Sequence, residues 1–324
     1  MQTIKTSKVV TVTLNPALDL TGSLSELNVG SVSLVSQSNL HAAGKGVNVA
    51  KVLSDLGAQV TVTGFLGKDN PELFHQLFSQ INVTDEFIEV EGATRINVKL
   101  VEENGRVSDI NFPGVQVSTE EIERFERVLF RLAEDHDYFV IAGSLPGGVS
   151  PELCASWIKT LRQRGKKVLF DSSNSALATG ISAQPWLVKP NDEELAELVG
   201  QELSTFEQCQ RAAQALSSKG IDNVVVSMGA EGVMWLSQDQ LLRSAPPRMN
   251  VVSTVGAGDT LVAGLCWGHM QAMPNNEILR FATALSALAV SQVGVGLTNQ
   301  EELDAIKLKT QITQVCPSTD VETN

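Results

Sequence analysis

Gly256, Ala257, Gly258 and Asp259 stand at a junction between two kinds of chain. Before them lies a β-branched run, Val251 to Val255; after them, Leu261, Val262, Leu265 and Trp267 follow helical spacing. Glycines punctuate such extended-to-helix junctions. Three backbone N–H groups are left bare at the helix start, and with the positive end of the helix dipole they make a site for an anion. A carboxylate beside an anion site is an odd pairing unless it handles a proton. The combination fits a general base next to a cradle for a phosphoryl group in transfer. The plainer reading makes Asp259 an ordinary first-turn residue of a helix. The stretch is no standard nucleotide motif: G-x-x-x-x-G-K-[ST] occurs nowhere, and Leu261 stands where the dinucleotide fingerprint has its third glycine.

A second anion site is written in Ala43-Gly44-Lys45-Gly46-Val47-Asn48. Apolar residues at 49, 52, 53 and 56 make this a helix ending at Gly57. Lys45 sits among glycines at its start, so its ammonium joins bare N–H groups. A solvated surface lysine is the alternative. Asp19 follows a strand, Val9 to Leu14, that Asn15-Pro16 stops. Open α/β sheets bind ligands at that end of their strands.

The elements that must position these residues follow a βα rhythm. Strands are expected at Val60 to Phe65, Tyr138 to Ala142, Val168 to Phe170, Trp186 to Lys189 and Val224 to Ser227. Helices are expected at 119–134, 151–164, 205–218 and 276–292. Val233 to Leu236 and Leu241 to Arg243 read as antiparallel strands. Weak alternation over 20–40 and short strands over 84–112, with a hairpin signal at Asn104-Gly105, predict a small lid sheet. The fold class is therefore α/β: one αβα domain over 1–308 with a mostly parallel central sheet, a lid from parts of 15–40 and 84–112, and a polar C-terminal tail over 309–324.

The chain has 324 residues, 43% hydrophobic and 19% charged, enough for a sizeable core. A net charge of −13 argues against a broad nucleic-acid or anionic-membrane surface but leaves phosphate ligands open. Cys154, Cys209, Cys266 and Cys316 are far apart with no C-x-x-C, as expected of idle thiols in a reducing cytosol. His41, His75, His136 and His269 show no metal-ligand spacing. No apolar h-region precedes the first strand, and the Ala-rich stretch 281–297 reads as a buried helix, so a cytoplasmic chain without a membrane span is expected.

Taken together, Asn15-Pro16-x-x-Asp19, Ala43-Gly44-Lys45-Gly46-x-Asn48, Thr94-Arg95, Gly143-Ser144-Leu145-Pro146, Lys189-Pro190-Asn191-x-x-Glu194, Ser227-x-Gly229 and Gly256-Ala257-Gly258-Asp259 fall at βα junctions in one order. That order resembles the ribokinase-like sugar kinases, specifically the phosphofructokinase-B family, over roughly residues 8–300. The resemblance implies a ribokinase-like fold and phosphoryl transfer from ATP with Mg²⁺ to a small-molecule sugar. It makes Asp259 the base and the backbone at Gly256, Ala257 and Gly258 the anion hole. It places Asp19, Gly44 and Asn48 at the sugar. It places Lys189, Asn191, Glu194, Ser227, Gly229 and Thr254 around the nucleotide, with Asn191 and Glu194 reaching Mg²⁺ through water. Lys45 and Arg95 resemble the cation pair of family members whose sugar already carries a phosphate. Ala43 at the head of the glycine loop resembles the branch acting on fructose 1-phosphate, where hexose-6-phosphate kinases tend to have glycine. Tagatose 6-phosphate and fructose 6-phosphate are the alternative substrates. A sugar-phosphate sensor without turnover and a nicotinamide-dependent oxidoreductase are readings from other classes. An exposed lid sheet also predicts a homodimer through its edges.

Overall fold

The computed structural model describes residues 8–238 and 240–315. The chain opens with β1 (Lys8–Thr13), β2 (Ala17–Leu24), β3 (Gln37–Ala43), α1 (Lys45–Asp55), β4 (Gln59–Gly67) and α2 (Glu72–Gln80). It continues with β5 (Thr84–Val90), β6 (Ile96–Glu102), β7 (Val107–Ile110), α3 (Thr119–Leu132), β8 (Tyr138–Ala142), α4 (Pro151–Gln163) and β9 (Lys167–Asp171). Next come α5 (Asn174–Ile181), β10 (Leu187–Val188), α6 (Asp192–Val199), α7 (Phe206–Ser217) and β11 (Asn223–Ser227). It closes with β12 (Val233–Ser237), β13 (Gln240–Ala245), α8 (Ala257–Met270), α9 (Asn275–Val290), α10 (Gln300–Lys309) and β14 (Gln311–Val315).

The large sheet has ten strands in the order β14-β13-β12-β11-β10-β9-β8-β1-β4-β5. The run from β5 to β11 is parallel, and β12, β13 and β14 add on antiparallel. Parallel strands must be covered on both faces. Accordingly Val9, Val140, Leu169 and Val225 pack into one core with α1, α8 and α9. Val10, Phe139, Val168 and Val224 pack into the other with α3, α4 and α7. In that second core Phe125 and Trp157 meet edge-on at 4.9 Å, both fully buried. Burying each such ring stabilises the fold by roughly 2–3 kcal/mol. Helix starts are set by local chemistry: Ser118 and Glu121 form a capping box for α3, and Ser150 caps α4 with Pro151 at its first position.

A second sheet of four strands, β3-β2-β6-β7, stands apart. Its composition differs from expectation in one strand. The segment 84–90 leaves the small sheet and pairs parallel with β4 at the edge of the large one. Its buried Ile88 and Val90 join the α3-side core, and that burial decides the placement. The polar stretch expected to be tail also differs. Residues 311–315 form β14 on the free edge of β13 (Leu241 opposite Val315, Ala245 opposite Gln311), where polar side chains suit a solvated outer strand. Among the described residues no helix is long and apolar enough to cross a membrane.

Candidate active site

The carboxyl ends of β1, β8, β9, β10 and β11 and the start of α8 face one region, the end at which open α/β sheets bind ligands. Gly256 caps α8 with a left-handed backbone (φ 78°, ψ −2°), a conformation glycine adopts without strain. Asp259, in the first turn, is only 6% exposed. Its Oδ2 accepts a 2.7 Å hydrogen bond from Asn48 Nδ2 of α1. Burial, reinforced by the negative Asp171, pushes the Asp259 carboxyl up to about 6 against the pull of Asn48, Lys45 and Lys189. A carboxylate poised there is a competent proton acceptor near neutral pH.

The glycines around Lys45 have steric reasons. Gly44 caps α1 at φ +134°, and a Cβ there would lie 2.9 Å from Thr13 Cγ2; one on Gly46 would lie 2.3 Å from Thr13 Oγ1. So α1 starts pressed against the end of β1, which aims Lys45 into the site. Lys45 Nζ lies 3.3 Å from Asp171 Oδ1. Burial would lower its ammonium, but Asp171, Asp259 and Glu194 outweigh that and hold it above its ordinary value. Lys189 Nζ lies 3.6 Å from the same Asp171 oxygen, and 3.6 Å from where a Gly258 Cβ would stand. Two ammoniums thus flank the start of α8, with Asp171 beneath both. Asp171 Oδ2 is buried with no hydrogen-bond partner.

A cavity of about 610 Å³ opens beside this centre. Asn191, Ser227, Gly229, Thr254, Ala257 and Gly258 line it. Thr283, Ser286, Ala287 and Val290 of α9 also line it. Asn191 and Glu194 form a capping box for α6: Asn191 Oδ1 accepts from Glu194 N at 2.6 Å, and Glu194 Oε2 from Asn191 N at 3.0 Å. Their first duty is therefore structural, with remaining oxygen lone pairs free for a ligand.

Asp19, on β2, sits opposite Asn97 of β6 and His41 of β3. Its Oδ1 accepts from Asn97 Nδ2 at 3.3 Å, and burial raises its carboxyl despite nearby His41, Lys99 and Arg95. Arg95 is heavily engaged. It donates to the carbonyls of Asn15 (2.9 Å), Pro16 (3.2 Å) and Phe112 (3.2 Å), and weakly to Ser144 Oγ (3.4 Å). It ties the small sheet to the β1 and β8 loops before it offers any donor outward.

This assembly is matched by known proteins. A profile of the pfkB family carbohydrate kinases matches residues 12–302. The chain belongs to that family. The 1-phosphofructokinase of Vibrio cholerae is 67% identical over 313 residues, covering 97% of this chain and 99% of that one. The 1-phosphofructokinase of Escherichia coli K12 is 47% identical, covering 94% and 98%. Among solved structures, phosphofructokinase-2 from Escherichia coli superposes with a TM-score of 0.87 at 28% identity, covering 94% of this chain and 99% of that one. The kinase fold is thus ribokinase-like, an αβα sandwich with a small separate sheet.

Sequence reasoning on this kinase overlooked Asp171, Asn97 and Ser286. Asp171 had a signal: a lone charge ending the apolar strand Val168-Leu169-Phe170, at the ligand end of the sheet. Asn97 had none, because its partner Asp19 comes from a strand 78 residues away. Ser286 lies mid-helix and donates to the Ala257 carbonyl at 2.9 Å, a contact visible only once α8 and α9 are packed.

Proposed function

We propose that the chain transfers the γ-phosphoryl group of ATP to the C6 hydroxyl of D-fructose 1-phosphate, giving fructose 1,6-bisphosphate and ADP. The observation that carries the chemistry is Asp259, a buried carboxylate held by Asn48 at the glycine-rich start of α8, between the cavity and two ammoniums. The relatives named 1-phosphofructokinase favour fructose 1-phosphate among the phosphorylated ketohexoses.

Nucleotide occupies the cavity lined by Ser227, Gly229 and Thr254, with its γ-phosphoryl group toward Gly256–Gly258. The sugar lies across Asp19, Gly44 and Asn48, and its phosphate meets Lys45 and the outward donors of Arg95. Asp259 takes the C6 proton as O6 bonds to the γ-phosphorus and the bond to the ADP oxygen breaks in line. Backbone N–H groups of Gly256, Ala257 and Gly258 receive the charge spreading over the equatorial oxygens, where one such donor is worth about 3 kcal/mol. Lys189 holds the same charge from the side. Asp171 keeps the Lys45 and Lys189 ammoniums apart and aimed.

Hard oxygen donors suit magnesium: Asn191, Glu194 and the unpartnered Asp171 Oδ2. Among the described residues no group of three or more His, Cys, Asp or Glu side chains forms a metal cage. Mg²⁺ bound there would typically keep water and phosphate oxygens as further ligands and would neutralise triphosphate charge.

The small sheet carries a shallow apolar groove lined by Leu20, Val35, Val98 and Leu100, with Leu40, Ile96 and Ile110 exposed nearby. We assign this face to a second copy of the chain, and sedimentation showing a monomer at assay concentration removes that assignment. Cys154, Cys209 and Cys266 are buried and unpaired, which suits a reducing cytoplasm, where we place the enzyme. Cys316 lies outside the described residues.

ADP release with ATP–Mg²⁺ against equal concentrations of fructose 1-phosphate, fructose 6-phosphate and tagatose 6-phosphate tests the substrate. Strong preference for the first is expected. Preference for a 6-phosphate overturns the substrate and keeps the chemistry; no turnover with any of the three leaves the sensor reading.

A further inference from the structure

Asn48, Lys51 and Asp55 share one face of α1, at spacings of three and four. Asn48 donates to Asp259. One turn on, Lys51 Nζ donates to the Val295 carbonyl, and Asp55 Oδ2 accepts from Leu297 N at 2.9 Å. The two side chains also pair, at 3.9 Å. They therefore grip the loop after α9 on both sides of Gly296. The grip is close: Gly296 is buried at φ +140°, and a Cβ there would lie 2.2 Å from Lys51 Nζ and 2.8 Å from Asp55 Oδ2. Gln292 Nε2 closes the loop on the Gly296 carbonyl at 2.7 Å.

The gripped loop rests on the start of α8. A Cβ on Gly256 would lie 2.3 Å from Val295 Cγ2, so Val295 is packed directly over the glycine whose left-handed backbone opens the helix. One helix thus holds the carboxylate through Asn48 and, through Lys51 and Asp55, the loop that backs the bare N–H groups.

We propose that Lys51 and Asp55 are positioning residues for phosphoryl transfer, clasping residues 295–297 so that Val295 keeps Gly256 and the anion hole in register with Asp259. This rests on the reading of Gly256–Gly258 as that hole. The Lys51–Asp55 pair is partly exposed, so as an ion pair it adds little stability. Placement is another matter, because a shift of about 1 Å at a reacting centre can cost as much as ~100-fold in rate.

The test compares Lys51→Ala, Lys51→Arg, Asp55→Asn and Val295→Ala in the full chain, with Asp259→Asn alongside, on ATP–Mg²⁺ and fructose 1-phosphate. Lys51→Ala and Val295→Ala are each expected to lower kcat roughly tenfold, with KM for the sugar phosphate within about twofold. Lys51→Arg regains most of the loss, Asp55→Asn falls between, and the Lys51→Ala/Val295→Ala double variant drops no further than either single. Thermal midpoints stay within about 4 °C of the parent. Parental kcat in both alanine variants, losses that multiply in the double variant, or a fall that only follows lost folded protein overturns the clasp. If Asp259→Asn abolishes turnover while Lys51→Ala does not, only the clasp fails; if Asp259→Asn turns over normally, the reading of the whole site fails.

Discussion

The two ends of α8 are built on opposite plans. At its start, four charged side chains (Asp259, Asp171, Lys45 and Lys189) crowd around bare backbone, and one buried carboxylate oxygen has no partner. About 15 Å along the helix, His269 ends it among rings. The His269 ring lies 4.6 Å from Trp186 and 5.3 Å from Trp235, edge-on to both. Lys167 Nζ stands about 5 Å over the Tyr138 and Trp186 rings, and Tyr138 donates to the His269 carbonyl at 3.0 Å. The lower end surrounds its polar groups with rings, including His269 Nε2, which has no hydrogen-bond partner. The upper end balances two carboxylates against two ammoniums around bare backbone N–H groups, as suits a site that answers charge arriving with substrate.

Loss at each end should therefore read out differently. Asp259→Asn is expected to cut kcat by ~10²–10⁴ with little change in sugar affinity, measured by steady-state turnover and sugar binding. The same variant should gain stability at pH 8. The Asp259 carboxyl is raised from 3.8 to about 6, so the folded state holds that proton more tightly and stability falls as pH climbs through this window. Removing the charge returns up to ~3 kcal/mol well above pH 6 and only about half a kcal/mol near pH 4, which denaturant unfolding at pH 8 and pH 4 checks. At the lower end, Trp235→Ala should cost about 3–5 kcal/mol in stability while kcat per folded molecule is unchanged, since the side chain is fully buried against His269 and does not line the cavity.

Smaller effects sharpen the contrast. Lys45→Ala is expected to raise KM for fructose 1-phosphate about tenfold, with a lesser effect on kcat. His269 titrates with the opposite sign to Asp259. Burial, with the Lys167 charge adding to it, lowers its imidazole from 6.5 to about 4, so stability is lost as pH falls through that range. His269→Phe should flatten the acid side of a melting-temperature profile and leave turnover at pH 7.5 near the parent's.

What the sequence revealed follows the same division. The strand ends were legible because apolar runs stop at chemistry-bearing residues: Val9 to Leu14 before Asn15 and Asp19, and Val224 to Val226 before Ser227. The run Val251 to Val255 marks the start of α8 as expected but forms no strand, its valines lying exposed. Contacts within one helix turn were legible too, as at Ser150 and Pro151. Pairings between distant elements were not. Nothing local in 84–90 tells a large-sheet edge from a small sheet, since both show half-buried alternation. Gln311–Val315 becomes a strand only because β13 offers a free edge. Asp171 gains its meaning from Lys45 and Lys189, which arrive from 126 residues upstream and from the neighbouring strand end. The aromatic cluster around His269 was invisible for the same reason, its rings coming from separate elements: Tyr138 begins β8, Trp186 precedes β10 and Trp235 lies in the middle of β12.

The central claim is that a buried carboxylate at the start of α8 accepts the substrate proton, and the pH dependence of kcat/KM in the parent enzyme tests it most directly. With both substrates held well below KM between pH 4.5 and 8.5, the account predicts an acid limb that rises tenfold per pH unit and bends near 6, the value to which burial pushes Asp259 in the free enzyme. A kcat/KM that stays level down to pH 4.5 would contradict it, because no proton acceptor titrating near 6 would then govern the step.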